Sequence, residues 1–288
     1  MHSFTIIILE ALLLAGVLSG LFSSSAKAKN CDCDLTIYCC SQWGYRGNGD
    51  AYCGPRCQAG PCEIYCEGTG TLTVSDIVTQ EFFQEITSQA RADCAGNGFY
   101  NLSAFLEAAS SFPDFGTTCT DDDRKREIAA YFAHVTHETK DFCYIEEIDG
   151  QALDYCDESQ GYPCNPSKKY FGRGPLQLSW NYNYIQAGQD IVFDGLNDPD
   201  IVALDPVISF KTSLWIWMKK EMHNAIISGQ GFGATIRIIN DGLECDGGNT
   251  AQMMARVEYY RSYCAQLGVS PGNDLTCLTK GLFGSAYS

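Results

Sequence analysis

Sixteen cysteines constrain this 288-residue chain more than any other feature: eight fall between residues 31 and 66, and eight are spread over the rest. Thiols in such number persist as disulfides only in an oxidising compartment, so the chain is expected to be exported. The stretch CDCDLTIYCCSQWGYRGNGDAYCGPRCQAGPC (31–62) has no apolar periodicity and too few aliphatic side chains to build a core. A piece of that kind is held by disulfide staples. The uneven spacing of the cysteines therefore divides the chain into a small stapled module and a large remainder.

Residues 1–28 hold an apolar run ending in small residues at Ala26-Lys27-Ala28, the pattern of a secretory signal peptide, although the run carries Glu10 and no leading Lys or Arg. The module then spans 29–66, and EGTGTLT (67–73) is a linker too short for long reach. A large domain runs from 74 to 277, and 278–288 is a C-terminal tail that serves as a disordered end or a vacuolar sorting signal.

From Val74 onward the periodicity is helical. Val78, Phe82 and Ile86 recur every four residues with Ser75 as candidate cap, and Leu102, Phe105, Leu106 and Ala109 follow Asn101. Ile128, Tyr131, Phe132 and Val135 form another stripe behind three aspartates at 121–123, which suit a helix N-terminus electrostatically. Residues 206–222 and 253–267 read as further helices, and strand signals are few. The large domain is expected to be mainly α, with a hydrophobic content of 45 % sufficient for a core.

Thirty-five acidic against nineteen basic residues leave a net charge of −16. That excess argues against nucleic acid and against anionic membranes or polymers, and favours a neutral substrate.

One segment concentrates titratable groups. In HVTHETKDFCYIEEIDG (134–150), His134 and Glu138 lie four residues apart at the end of the apolar helix. Burial there would favour a protonated Glu138 able to donate. Glu147 follows nine residues later, which in an unbroken helix would be about 13 Å along the axis and on the opposite face. If the chain stops its helix near Asp141–Cys143 and doubles back, the two carboxyls face one groove. A gap of roughly 6.5–9.5 Å would then suit acid and base for inverting glycoside cleavage. His134 and His137 could instead hold a metal, but HVTHE matches neither HExxH nor HxxEH and offers no third ligand. Spacing alone also permits polar helix-end residues with no catalytic task.

The stretches YFAHVTHETKDFCYIEEI (131–148), YFGRGPLQLSWNYNY (170–184) and IRIINDGLEC (236–245) resemble the signature of family 19 glycoside hydrolases, the plant-type chitinases, and most nearly the class IV subgroup. The resemblance runs from about Val74 to Cys277. It implies a two-lobed, lysozyme-like helical hydrolase that needs no cofactor or metal and cleaves chitin and chitooligosaccharides with inversion. Carried over by position, it makes Glu138 the general acid and Glu147, four residues after Cys143, the base. Ser179 would help hold the water. Gln177, Tyr182, Asn183 and Asn240 would contact sugar, and Glu244 with Arg256 would tune the acid. Lys140 and Asp141 depart from the small residues usual after HET; a cation so near Glu138 would weaken it as an acid if the side chain enters the groove.

The small module resembles hevein-type chitin-binding domains, which implies that Ser41, Trp43, Tyr45 and Tyr52 grip N-acetylglucosamine, the rings as a stacking platform. The resemblance pairs Cys31 with Cys40, Cys39 with Cys53 and Cys57 with Cys62. Arg46 stands where that family has cysteine, leaving Cys33 without its usual partner and Cys66 as a candidate replacement. In the large domain it pairs Cys94 with Cys143, Cys156 with Cys164 and Cys245 with Cys277, while Cys119 and Cys264 stay unassigned. The expectation is a secreted, monomeric endochitinase with no nucleic-acid or membrane partner. Two rivals are a chitin-binding protein whose hydrolase domain is weak, and a peptidoglycan hydrolase, the latter disfavoured by repulsion between like charges.

Overall fold

The computed structural model describes residues 39–41, 43–47, 50–54, 57, 66 and 68–278. The expected signal peptide, Cys31, Cys33, Cys62 and nearly all of the expected C-terminal tail lie outside the described residues. Two compact units divide between Cys62 and Glu63.

In the small unit, β1 (Cys39–Cys40) and β2 (Arg46–Gly47) pair antiparallel, with Cys40 opposite Arg46, and α1 (Asp50–Cys53) follows. The core is sulfur: Cys39, Cys53 and Cys57 are buried together with Tyr52 packed on them, and Cys39 bonds to Cys53. Cys40 and Cys57 are also disulfide-bonded. Trp43 and Tyr45 are 75 % and 57 % exposed, whereas Ser41 is buried and its Oγ accepts from the Tyr45 amide at 3.2 Å.

The large unit is mainly helical. Cys66, Thr71 and Leu72 are bonded into it: Cys66 forms a disulfide with Cys119, and the amides of Thr71 and Leu72 donate to Asp121 Oδ1 at 2.7 and 2.9 Å. Cys66 is thus the partner of Cys119 and not of Cys33. Val74–Ile77 (α2) and Gln80–Thr87 (α3) are two helices where the spacing suggested one. Thr73 and Thr79 cap them; Ser75 does not, because Val78 leaves helical geometry and the chain restarts. Leu102–Ala109 (α4) is capped by Asn101, whose Oδ1 accepts from Ala104 N at 3.0 Å.

The central helix α5 (Asp121–Thr139) starts in a capping box between Thr120 and Asp123 with aspartates over its first turn. Its sequence suggested a single apolar stripe, but every residue from Ile128 to Thr136 is buried, so the helix is covered all round. Phe105 meets Phe132 at 4.9 Å between ring centres, and Tyr131 bonds Ser213 at 2.6 Å. Asn181–Ile191 (α6), Ile201–Leu204 (α7), Pro206–Lys219 (α8), Met222–Ile227 (α9), Phe232–Glu244 (α10) and Thr250–Gln266 (α11) complete the unit. Helix α11 lies along α5, and α4 lies along α8.

After Thr139 the chain reverses through three consecutive left-handed residues, Lys140, Asp141 and Phe142, with φ of 49°, 61° and 60°. The Cys94–Cys143 bond pins the reversal, and Gly96 permits it: a Cβ there would lie 1.9 Å from the Phe142 carbonyl oxygen. Cys156–Cys164 and Cys245–Cys277 close two further loops, and Cys264 is a buried free thiol.

Candidate active site

Glu138 and Glu147 line one open groove of about 490 Å³, the first from the last turn of α5 and the second from the segment that returns after the reversal. Helix termination at Thr139 makes this convergence possible, since continued helix would have carried Glu147 away.

Each carboxylate has its own environment. Glu138, with 19 % of its side chain exposed, accepts a hydrogen bond from Arg256 Nη2. The same nitrogen donates to Glu244 Oε1 at 2.8 Å while Arg256 Nε donates to Glu244 Oε2 at 2.9 Å, a two-point grip on a carboxylate that is 3 % exposed. Burial pushes Glu244 up, but the hydrogen bonds and charge of Arg256, with the Asn240 amide at 2.7 Å, outweigh it and hold the group below its ordinary range. Asn240 has non-helical dihedrals inside α10, and this kink lets it line the groove while bonded to Glu244.

Arg256 Nη1 donates to His134 Nδ1 at 3.0 Å. A guanidinium only donates, so the proton of His134 sits on Nε2, which donates to Thr235 Oγ1 at 2.8 Å; that hydroxyl passes its own proton to Phe232 O at 2.7 Å. Burial first, and then the charges of Arg256 and His137, hold His134 well below the ordinary histidine range, so it is neutral. His137 turns to Gln252 Oε1 at 2.8 Å. The histidines read in sequence as possible metal ligands thus fix Arg256 and pack α5 against α11.

Glu147 Oε1 accepts from Tyr155 OH at 2.8 Å, and Oε2 from Gly172 N at 3.0 Å. Its own amide donates to Gly172 O at 2.8 Å, so backbone and side chain are held by one residue. Burial, followed by the Glu147 carboxylate, pushes the Tyr155 hydroxyl up to about 12, which keeps it a donor. Adjacent Glu146 is bridged to Arg173 and accepts from its Nε at 3.0 Å. Arg173 is itself buried, with Nη2 on Asp200 at 2.7 Å and its guanidinium 3.8 Å from the Phe171 ring centre. Glu146 lines the same groove, and what separates it from Glu147 is its partner: a buried arginine holds Glu146, whereas neutral donors hold Glu147.

Gly172 also allows Gln177 and Ser179 to approach: an added Cβ would sit 2.8 Å from Gln177 Oε1 and 3.3 Å from Ser179 Oγ. Ser179 Oγ donates to Gln177 O at 2.9 Å, leaving its lone pairs to accept from a groove molecule. Tyr182 and Asn183 sit at the start of α6, beside the groove lining: Asn183 Nδ2 donates to Ser179 O at 2.9 Å, and Tyr182 stacks on Trp180 at 6.1 Å. Sequence reasoning missed His134 as the partner of Arg256, and Tyr155 and Gly172 as the partners of Glu147. The glycines of FGRGP were the one available signal, since a glycine in an otherwise bulky stretch marks a close approach.

Lys140 lines the groove with its ammonium 5.7 Å from the centre of the Tyr144 ring. Asp141 turns the other way and accepts from Tyr259 OH at 2.7 Å.

The family model described as chitinase class I matches residues 77–277. The chain is 72 % identical over 250 residues to an acidic endochitinase of Dioscorea japonica, covering 86 % of this chain and all (100 %) of that one. It is 60 % identical over 257 residues to endochitinase EP3 of Arabidopsis thaliana, covering 89 % and 92 %. Among solved structures, a class IV chitinase of glycoside hydrolase family 19 from Zea mays superposes with a TM-score of 0.66 at 56 % identity, covering 70 % of this chain and 98 % of the other. Chitinase C from Streptomyces griseus gives 0.66 at 38 %, covering 72 % and 100 %.

Proposed function

We propose that this chain, which belongs to the chitinase class I family of glycoside hydrolases, is a secreted endochitinase that cuts the β-1,4 bonds between N-acetylglucosamine units of chitin and chitooligosaccharides with inversion. One observation carries the reading. Two carboxylates from separate segments line a single open groove, one held by a cation network and the other by neutral donors.

In this mechanism Glu138 protonates the departing glycosidic oxygen, and Arg256 orients it, while Glu244 offsets the charge of Arg256. A water in the groove donates one hydrogen to Glu147 and the other to the free lone pairs of Ser179, and its own lone pair attacks the anomeric carbon from the face opposite the leaving oxygen. The C–O bond breaks toward Glu138 while Glu147 takes the proton from water. Gln177 and Asn240 supply amides for hydroxyl and acetamide groups.

The exposed rings of Trp43 and Tyr45 support a chitin-binding role for the small unit, in which Ser41 is buried and Tyr52 packs on the cysteine core. Among the described residues no helix is long and apolar enough to cross a membrane. Incubation with N-acetylglucosamine hexamer, followed by NMR of the first products, should show internal cuts yielding the α-anomer. Glu138→Gln should lower kcat at least about 10³-fold with hexamer binding retained. β-Anomeric products, or near-normal turnover by that variant, would overturn the assignment.

A further inference from the structure

Three cations stand at or behind the groove, and two of them are saturated. Arg256 is held between Glu138 and Glu244, and Arg173 between Glu146 and Asp200. Lys140 is different: it is exposed, lines the groove, and among the described residues forms no ion pair. In a chain of net charge −16 a lysine in that position is free to act on whatever occupies the groove.

Its placement is built into the fold. The Lys140 amide is bonded to the carbonyls of His137 and Thr136 at the end of α5. The Tyr144 ring beneath the ammonium belongs to a segment fixed three ways: by the Tyr144 amide on Thr139 O at 3.0 Å, by Tyr100 OH on Tyr144 O at 3.0 Å, and by the neighbouring Cys94–Cys143 bond. The result is a wall with an aromatic face and a cationic rim, beside Glu138.

We propose that Lys140, laid over Tyr144, is a specificity-determining residue that accepts an N-acetylated sugar at this wall and rejects a deacetylated one. The inference rests on the chitin-cleaving reading. An acetamide is neutral and its carbonyl oxygen accepts from an ammonium, whereas the free amine of glucosamine is protonated in mild acid and is repelled by one. Glu147, which no cation pairs among the described residues, makes the contrast directional. A cationic sugar is tolerated toward Glu147 and refused toward Lys140.

The test compares the native chain with Lys140→Gln on two substrates, fully acetylated hexamer and a half-deacetylated chitosan, at about 10 mM and about 1 M salt. At low salt the ratio of kcat/KM for chitosan to that for hexamer should rise about two- to fivefold in the variant, the size expected of one exposed charge pair. One of the two new chain ends should lose an enrichment in N-acetylglucosamine that the native chain imposes. At high salt, where charges are screened within roughly 3 Å, the difference between the two proteins should vanish. An unchanged ratio and unchanged chain ends at low salt would overturn the proposal. If the native chain fails to cut hexamer at all, the chitin-cleaving reading fails first and takes this inference with it.

Discussion

Glu244→Gln tests the electrostatics of the site most directly. Glu244 and Glu138 accept from the same nitrogen of Arg256, which sets their oxygens roughly 4–5 Å apart by hydrogen-bond geometry. At an effective dielectric constant of about 20, two unit charges at that distance repel by roughly 3–4 kcal/mol. Because 19 % of the Glu138 side chain is exposed, solvent screening reduces this to about 1–2 kcal/mol, or roughly tenfold in rate. Neutralising Glu244 leaves the Arg256 charge directed at Glu138 without its buried counter-charge. On hexamer the variant should lose about tenfold in kcat. KM should stay within about twofold, since Glu244 sits behind the groove and not in its lining. Thermal melting would register the separate cost of disturbing a buried pair. An unchanged kcat, or a KM raised well beyond twofold, would refute the reasoning.

Two further outcomes follow from other parts of the molecule. Buried Glu127 accepts from His223 at 2.6 Å and from Trp217 Nε1 at 2.9 Å; burial opposes charge on His223, but the hydrogen bond and charge of Glu127 outweigh it and hold its pKa above the ordinary value. A raised folded value means that the pair's stabilisation is complete below the unfolded value of about 6.5 and is lost as pH rises through the folded value. Urea midpoints should therefore fall above pH ~6.5 in the native chain and be flatter in His223→Gln; a native midpoint that does not fall would refute this. Trp43→Ala should weaken retention on chitin beads about five- to tenfold, from lost stacking area, while hydrolysis of soluble hexamer is unchanged; equal retention would refute the platform.

Much of the site was legible from residues alone. The cysteine density announced a stapled module, the stripe at 128–135 announced a helix though not its all-round burial, and HVTHE to IEEI placed two carboxyls near its end. The single-helix reading around Ser75 failed because two threonine caps compete locally and Val78 resolves the competition by leaving helical geometry. Cys66 went to Cys119, which no spacing rule could foretell, because the match depends on where residues 53 positions apart in sequence come to lie.

The sequence by itself determined the class of fold, since composition and periodicity are local properties, and its motifs nominated the candidate reacting groups. Only the tertiary structure decided which of two adjacent glutamates is tied to a buried arginine and which to neutral donors, which nitrogen of His134 carries its proton, and that Lys140 lies over Tyr144 with no ion pair among the described residues. The first two depend on partners up to 122 residues away along the chain, and the third on a reversal pinned by the Cys94–Cys143 bond. Hydrogen bonds and charges act through space, and contacts of that kind exist only once the chain has closed on itself.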